Sequence, residues 1–105
     1  MKPTVLDVNE ALDVKMDTMR ARAVELYGKE IVDKNDYIAS DNAMYCAGAL
    51  MFQTQKTFIE CINCTDEKKD EALQTFIKAC DDYADIYVMS LYASIADDLR
   101  DANNQ

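Results

Sequence analysis

The residues best equipped for chemistry are four cysteines, Cys46, Cys61, Cys64 and Cys80, in a chain of 105 residues that has no histidine. Cys61 and Cys64 stand in the run FIECINCTDEKKD with two residues between them, the spacing of zinc ribbons and of dithiol redox pairs. Structural zinc needs four ligands converging tetrahedrally, with sulfur at about 2.3 Å. Cys46 lies fifteen residues before Cys61 and Cys80 sixteen after Cys64, which along helices is more than about 20 Å. No metal centre and no cofactor are therefore expected. A thioredoxin-like pair sets its first cysteine at a helix N-terminus, where the dipole lowers the thiol pKa. Cys61 falls instead at a helix C-terminal end, with no βαβ pattern around it. What the spacing does offer is register. Cys46 and Cys80 are nearly symmetric about residue 63, so a hairpin turning there brings them to nearly the same layer. They would face each other as reduced core thiols or as a disulfide; the burial habit of free cysteine favours the thiols.

The remaining reactive groups are carboxylates. Pairs three residues apart occur at Glu10/Asp13, Glu67/Asp70, Asp82/Asp85 and Asp98/Asp101. A Mg²⁺-dependent all-α nucleotide hydrolase would hold its metal with such pairs on facing helices, because magnesium wants hard oxygen ligands. Here Glu67/Asp70 and Asp82/Asp85 share one helix about 22 Å apart, and Asp13 levels with Lys78. The lack of histidine removes the commonest general base and the usual triads. Gly28 and Gly48 stand alone, so there is no phosphate-cradling loop. Catalytic residues are accordingly not assigned, and a non-enzyme is expected. Arg20, Arg22 and Lys29 suit the C-terminal dipole of the first helix, with an anion pocket in an oligomer as the alternative.

Twenty acids against eleven bases give a net charge of −9. A phosphate backbone requires a positive footprint, so direct nucleic-acid binding is not expected. Residues 65–105 carry ten of the acids and four of the bases, and the excess either solubilises the chain or steers a partner. The N-terminal MKPTVLDVNEALDVK has no unbroken apolar run and no segment reaches the roughly 18 residues of a membrane span. The expectation is a cytoplasmic protein without a membrane anchor.

Two glycines and one proline leave little for loops, and three long helices are expected, about 4–27, 36–62 and 65–102, in a single domain. Val5, Val8, Leu12, Met16, Met19, Ala23 and Leu26 form one apolar stripe, capped by Thr4 and stopped by Gly28. The segment KEIVDKN makes the first connection. In the second helix Tyr37, Met44, Gly48, Met51, Phe58 and Ile62 form one row beside Ile38, Tyr45, Ala49, Phe52 and Ile59, a wide apolar face for two neighbours; Gly48 would permit close helix approach. Thr65, followed by Asp66 and Glu67, starts the third, and the AsnAsnGln tail is expected to fray. The fold class is all-α, an antiparallel up-down-up bundle whose third helix overhangs beyond Leu91 by about 16 Å.

Leu73, Phe76, Ile77, Cys80, Tyr83, Ala84, Tyr87, Leu91 and Ile95 make the core face of that third helix. Ile86, Met89, Ala93 and Ala96 fall opposite, with Tyr92 beside them. Either Ile86 and Met89 meet the first helix, or the strip is an interface rimmed by acids. The second reading assigns partner binding to Ile86, Met89, Tyr92, Ala93 and Ala96, with Asp81, Asp82, Asp85, Asp97 and Asp98 steering a basic protein partner. The chain would then be a regulator or inhibitor of the phage, plasmid or immunity type. Alternatives are an obligate homodimer, a structural or assembly protein joined through the last helix, and a mimic of DNA phosphates that blocks a nucleic-acid-binding protein.

Overall fold

The computed structural model describes residues 3–104. Thr4 and Asp7 cap the first helix reciprocally: the Asp7 backbone N–H donates to the Thr4 hydroxyl at 3.2 Å, and the Thr4 N–H donates to the Asp7 carboxylate at 2.8 Å. The helix so begun, α1, spans Val5–Tyr27 and closes on Gly28, whose N–H donates to the Val24 carbonyl at 2.8 Å. Gly28 has φ +91°, a region costly for residues with a Cβ, and is the entire connection to α2, Lys29–Ala43. The segment KEIVDKN, expected as a connection, is therefore the first turns of a helix that starts seven residues before Asp36.

From α2 the backbone continues through a wide π turn, Met44–Gly48, into α3, Ala49–Glu60, without leaving helical dihedrals at its junctions. The cause is legible in the buried side chains. Ala39, Ala43, Ala47 and Met51 are four apart three times running, and each such step drifts about 40° in an ideal α-helix. One turn that holds an extra residue absorbs the drift and keeps the stripe on its neighbour. Gly48 belongs to this local device: a Cβ there would lie 2.4 Å from the Met44 sulfur, and no neighbouring helix comes so near. A short 3₁₀ turn, Cys61–Asn63, leads to Thr65, whose hydroxyl accepts from the Lys68 N–H at 3.3 Å and starts α4, Asp66–Asn103. Asn104 is a turn residue, and Gln105 of the expected frayed tail lies outside the described residues.

The described residues thus form three helical rods packed on one another. The α4 rod supplies bulk to the core, with Phe76, Tyr83, Tyr87, Leu91 and Ile95 buried, whereas α2 and α3 meet it largely through alanines. Small residues on one rod and large ones on the other interdigitate at native density. From α1 only Val8 and Ala23 are fully covered, Leu12 and Met16 partly, and Leu26, expected in its stripe, is exposed. Because α2 begins at Lys29, Asn35 reaches Ser94 and Asp98, so the stretch expected to overhang is met on one side as far as Asp98, while residues 99–104 are exposed.

Candidate functional site

The ten residues expected to form one partner strip divide among separate surroundings. Met89, Ala93 and Asp97 line a shallow cleft of about 610 Å³ between α4 and α2, facing Ile38 and Asn42, with Ser90 and Ser94 on its floor. Met89 is 66% exposed and Ala96, one turn beyond Ala93, is exposed too. Asp82 lines the next groove, with Leu50 and Thr54, and pairs with Lys78 at 3.3 Å. Asp81 and Asp85 turn the other way and share Lys15 of α1, at 3.2 and 3.7 Å. Tyr92 sets its ring against Tyr27 at 5.9 Å, edge to face, and Ile86 packs on the core, so both are half-buried structural contacts rather than free ones. The division follows from helix phase: Asp81, Asp85 and Tyr92 share a sector about 40° wide on the α1 side.

Asp98 is engaged in a buried polar joint. Asn35, only 1% exposed, donates to the Asp98 carboxylate and to the Ile31 carbonyl, each at 2.8 Å, and accepts from the Ser94 hydroxyl. Lys34 adds an ion pair to Asp98 at 3.6 Å. Next to it Asp36 accepts from the buried Tyr87 hydroxyl and lies 3.4 Å from Arg20, which also pairs with Asp33. Lys29 completes the set by donating to Asp33 at 2.6 Å. Burial, then the hydrogen bond to Asp36, holds the Tyr87 phenol well above its ordinary range. The hydrogen bond from Lys29 holds Asp33 below the usual carboxylate value. Of the basic residues Arg20, Arg22 and Lys29, the first and the last are thus engaged by the chain's own acids.

The cysteines separate. Cys46 is exposed and its thiol points at Asn42, 3.7 Å away, while Cys80 is buried against α1. The facing pair expected from hairpin symmetry does not form, because the π turn rotates Cys46 away from α4. Burial, with Asp81 adding, pushes the Cys80 thiol up to about 11. In the turn between α3 and α4, Cys61 is held above its ordinary value by a hydrogen bond shared with Cys64, then by burial, the reverse of what an attacking thiol needs. Among the described residues no three metal-ligating side chains converge, and no helix is long and apolar enough to cross a membrane.

With this geometry in hand, comparison with protein-family models, curated proteins and solved structures returned no match. The residues that sequence reasoning missed lie on α2 and α3. Tyr37, Ile38, Tyr45, Phe52 and Ile59 were expected inside and are exposed, because the alanines between them take the buried positions. The four-residue recurrence of Ala39, Ala43 and Ala47 was the available signal.

Proposed function

We propose that this chain is a non-enzymatic acidic helical module, its three rods ordered up-down-up, that docks on a protein partner and regulates or inhibits it. The pairing of Lys15 with Asp81, Tyr27 with Tyr92 and Asn35 with Ser94 supports that order of the rods. The docking site is the Ile38–Met89 cleft, and its occupant is an apolar helix with basic flanks. The observation that carries this reading is the exposure of two large apolar side chains across one groove, Met89 and Ile38, with Asp97 lining the same groove. Covering the half to two-thirds of each that is exposed contributes about 1–2 kcal/mol apiece toward a complex, while the net charge of −9 speeds encounter with a basic partner. Asp82, Asp85 and Asp97 each have a cation of the same chain within 4.0 Å, which favours apolar docking over imitation of DNA phosphates. The four unbonded thiols accord with a cytoplasmic setting.

The test is capture from the native host with wild-type and Met89→Asp chains, then titration of the purified captured protein. Binding weakened at least tenfold by both Met89→Asp and Ile38→Asp supports the cleft. Equal affinity for wild type and Met89→Asp removes it, and a greater loss from Asp→Asn changes at 82, 85 and 97 than from Met89→Ala transfers the function to phosphate mimicry.

A further inference from the structure

Two residues before each member of the buried stripe Ala39, Ala43, Ala47, Met51 and Thr54 stands an exposed one: Tyr37, Asp41, Tyr45, Ala49 and Phe52. Two residues turn a helix by about 200°, so these five, with Lys56 one turn on, form the back of the α2–α3 rod, pointing away from α4. Tyr45 is 90% exposed, Tyr37 72% and Phe52 52%. A helix back turned to solvent ordinarily carries charge. Here residues 37–60 hold two acids, Asp41 and Glu60, and one base, Lys56, which lies 3.9 Å from Glu60, in a chain of net charge −9. The positions of Asp41 and Lys56 are symmetric: Asp41 is seven residues before Gly48 and Lys56 seven after Ala49. The rings obey the same rule, Tyr45 three before Gly48 and Phe52 three after Ala49.

We infer that the back of the α2–α3 rod is the interface of a homodimer, in which two copies of this rod pack antiparallel about a twofold axis passing between Gly48 and Ala49. In that register Asp41 of one copy falls level with Lys56 of the other, twice, and Tyr45 levels with Phe52. Ala49 sits at the axis, where a small side chain lets rods approach to the usual 8–10 Å or so. An isologous contact requires such self-complementarity, and the chain carries both halves of it. Self-association expected through the last helix is thereby placed on a different rod, independent of the Ile38–Met89 cleft.

The area agrees. The accessible surface is 7170 Å², whereas a compact monomer of this mass exposes roughly 5,900 Å². The three rings expose on the order of 400 Å², and Met44, Ala49 and Ile59 extend the patch to about 600 Å² per copy. A pair would bury about 1,200 Å², the lower bound for specific interfaces, so a reversible dimer is expected.

Sedimentation of the full chain between about 1 and 100 μM should show its mass rising from 11.9 kDa toward twice that value. Tyr45→Glu should hold it at the monomer mass throughout, with helical ellipticity at 222 nm unchanged. Asp41→Lys and Lys56→Asp should each weaken association about tenfold, and the two together should restore it. In a Cys46→Ser background, Ala49→Cys should give a chain disulfide-linked to its own copy on treatment with glutathione disulfide, two thiols being oxidised as the reagent is reduced to two glutathiones. A monomer at the highest concentration, a dimer indifferent to Tyr45→Glu, or a double charge reversal no better than the singles overturns the inference. Met89→Asp leaves this dimer intact, so loss of the cleft reading and loss of the dimer are told apart.

Discussion

Asn35 joins the first turns of α2 to the last third of α4, and its removal measures how much that joint stabilises. Asn35→Ala deletes two donated hydrogen bonds at 2.8 Å, one of them to a carboxylate, and one accepted from Ser94. A hydrogen bond to a charged group contributes about 1.5–3 kcal/mol and a neutral one about 0.5–1.5. The Ile31 carbonyl keeps its helical partner and Asp98 keeps Lys34 at 3.6 Å, so only part of each is lost. The expected cost is about 2–3 kcal/mol, or a fall in Tm of about 10–20 °C. Asn35→Asp is the sharper probe, since it sets a second carboxylate where an amide donated to Asp98. One of the two carboxyls would then titrate above the unfolded value. A raised folded pKa adds stability below the unfolded pKa and loses it as pH rises. The variant should therefore be less stable than Asn35→Ala at pH 7, and the gap should close near pH 4. Urea unfolding followed at 222 nm, at both pH values and with an unchanged m-value, reads the difference. A cost for Asn35→Ala below about 0.5 kcal/mol, or an Asn35→Asp melt indifferent to pH, refutes the joint.

Other perturbations have equally definite outcomes. Gly28→Ala meets open space but must adopt φ +91°, so thermal melts should show a loss of about 1–2 kcal/mol. Cys80, Tyr83 and Tyr87 all hold their protons above ordinary values through burial. Their contributions are complete below the unfolded pKa values, 9.0 for the thiol and 10.0 for the phenols, and fade as pH rises toward the folded ones. Stability should thus hold to about pH 9 and then fall, with Cys80→Ala making the fall between about pH 9 and 10 shallower, Cys61 still contributing there. At neutral pH a thiol-specific alkylating reagent followed by mass spectrometry should modify exposed Cys46 at least tenfold faster than Cys80.

The helix boundaries set by side-chain chemistry were legible: Thr4 and Asp7 announce α1, Gly28 ends it, and Thr65 opens α4. The core face of α4 was legible too, because 38 residues of one helix sample the period many times and every member from Leu73 to Ile95 is covered. The start of α2 was not. Lys29, Glu30, Asp33 and Lys34 interrupt the apolar pattern, and Asn35 reads as a loop residue until its buried partners are seen. In α2 and α3 side-chain size misled, since Tyr45 and Phe52 looked like core and alanines fill it. The register drawn from Cys46 and Cys80 failed for another reason: a π turn leaves no mark in composition, only an extra four-residue step. Of the partner strip, the exposure of Met89, Ala93 and Ala96 followed from helix phase, whereas the half-burial of Tyr92 depended on where Tyr27 of α1 lay.

The thin attachment of α1 decides the order in which the molecule comes apart. Two of its side chains are fully covered against ten in α4, and its ion pairs with Asp81, Asp85 and Asp33 are part-exposed ones of small individual strength. Joined to the rest by Gly28 alone, it can swing off while the other two rods stay packed on each other. Amide hydrogen exchange should accordingly divide in two tiers, α1 trading its protons through a sub-global opening well below the free energy that protects α4. The Cys80 thiol lies beneath α1, so its slow alkylation is a clock for that opening.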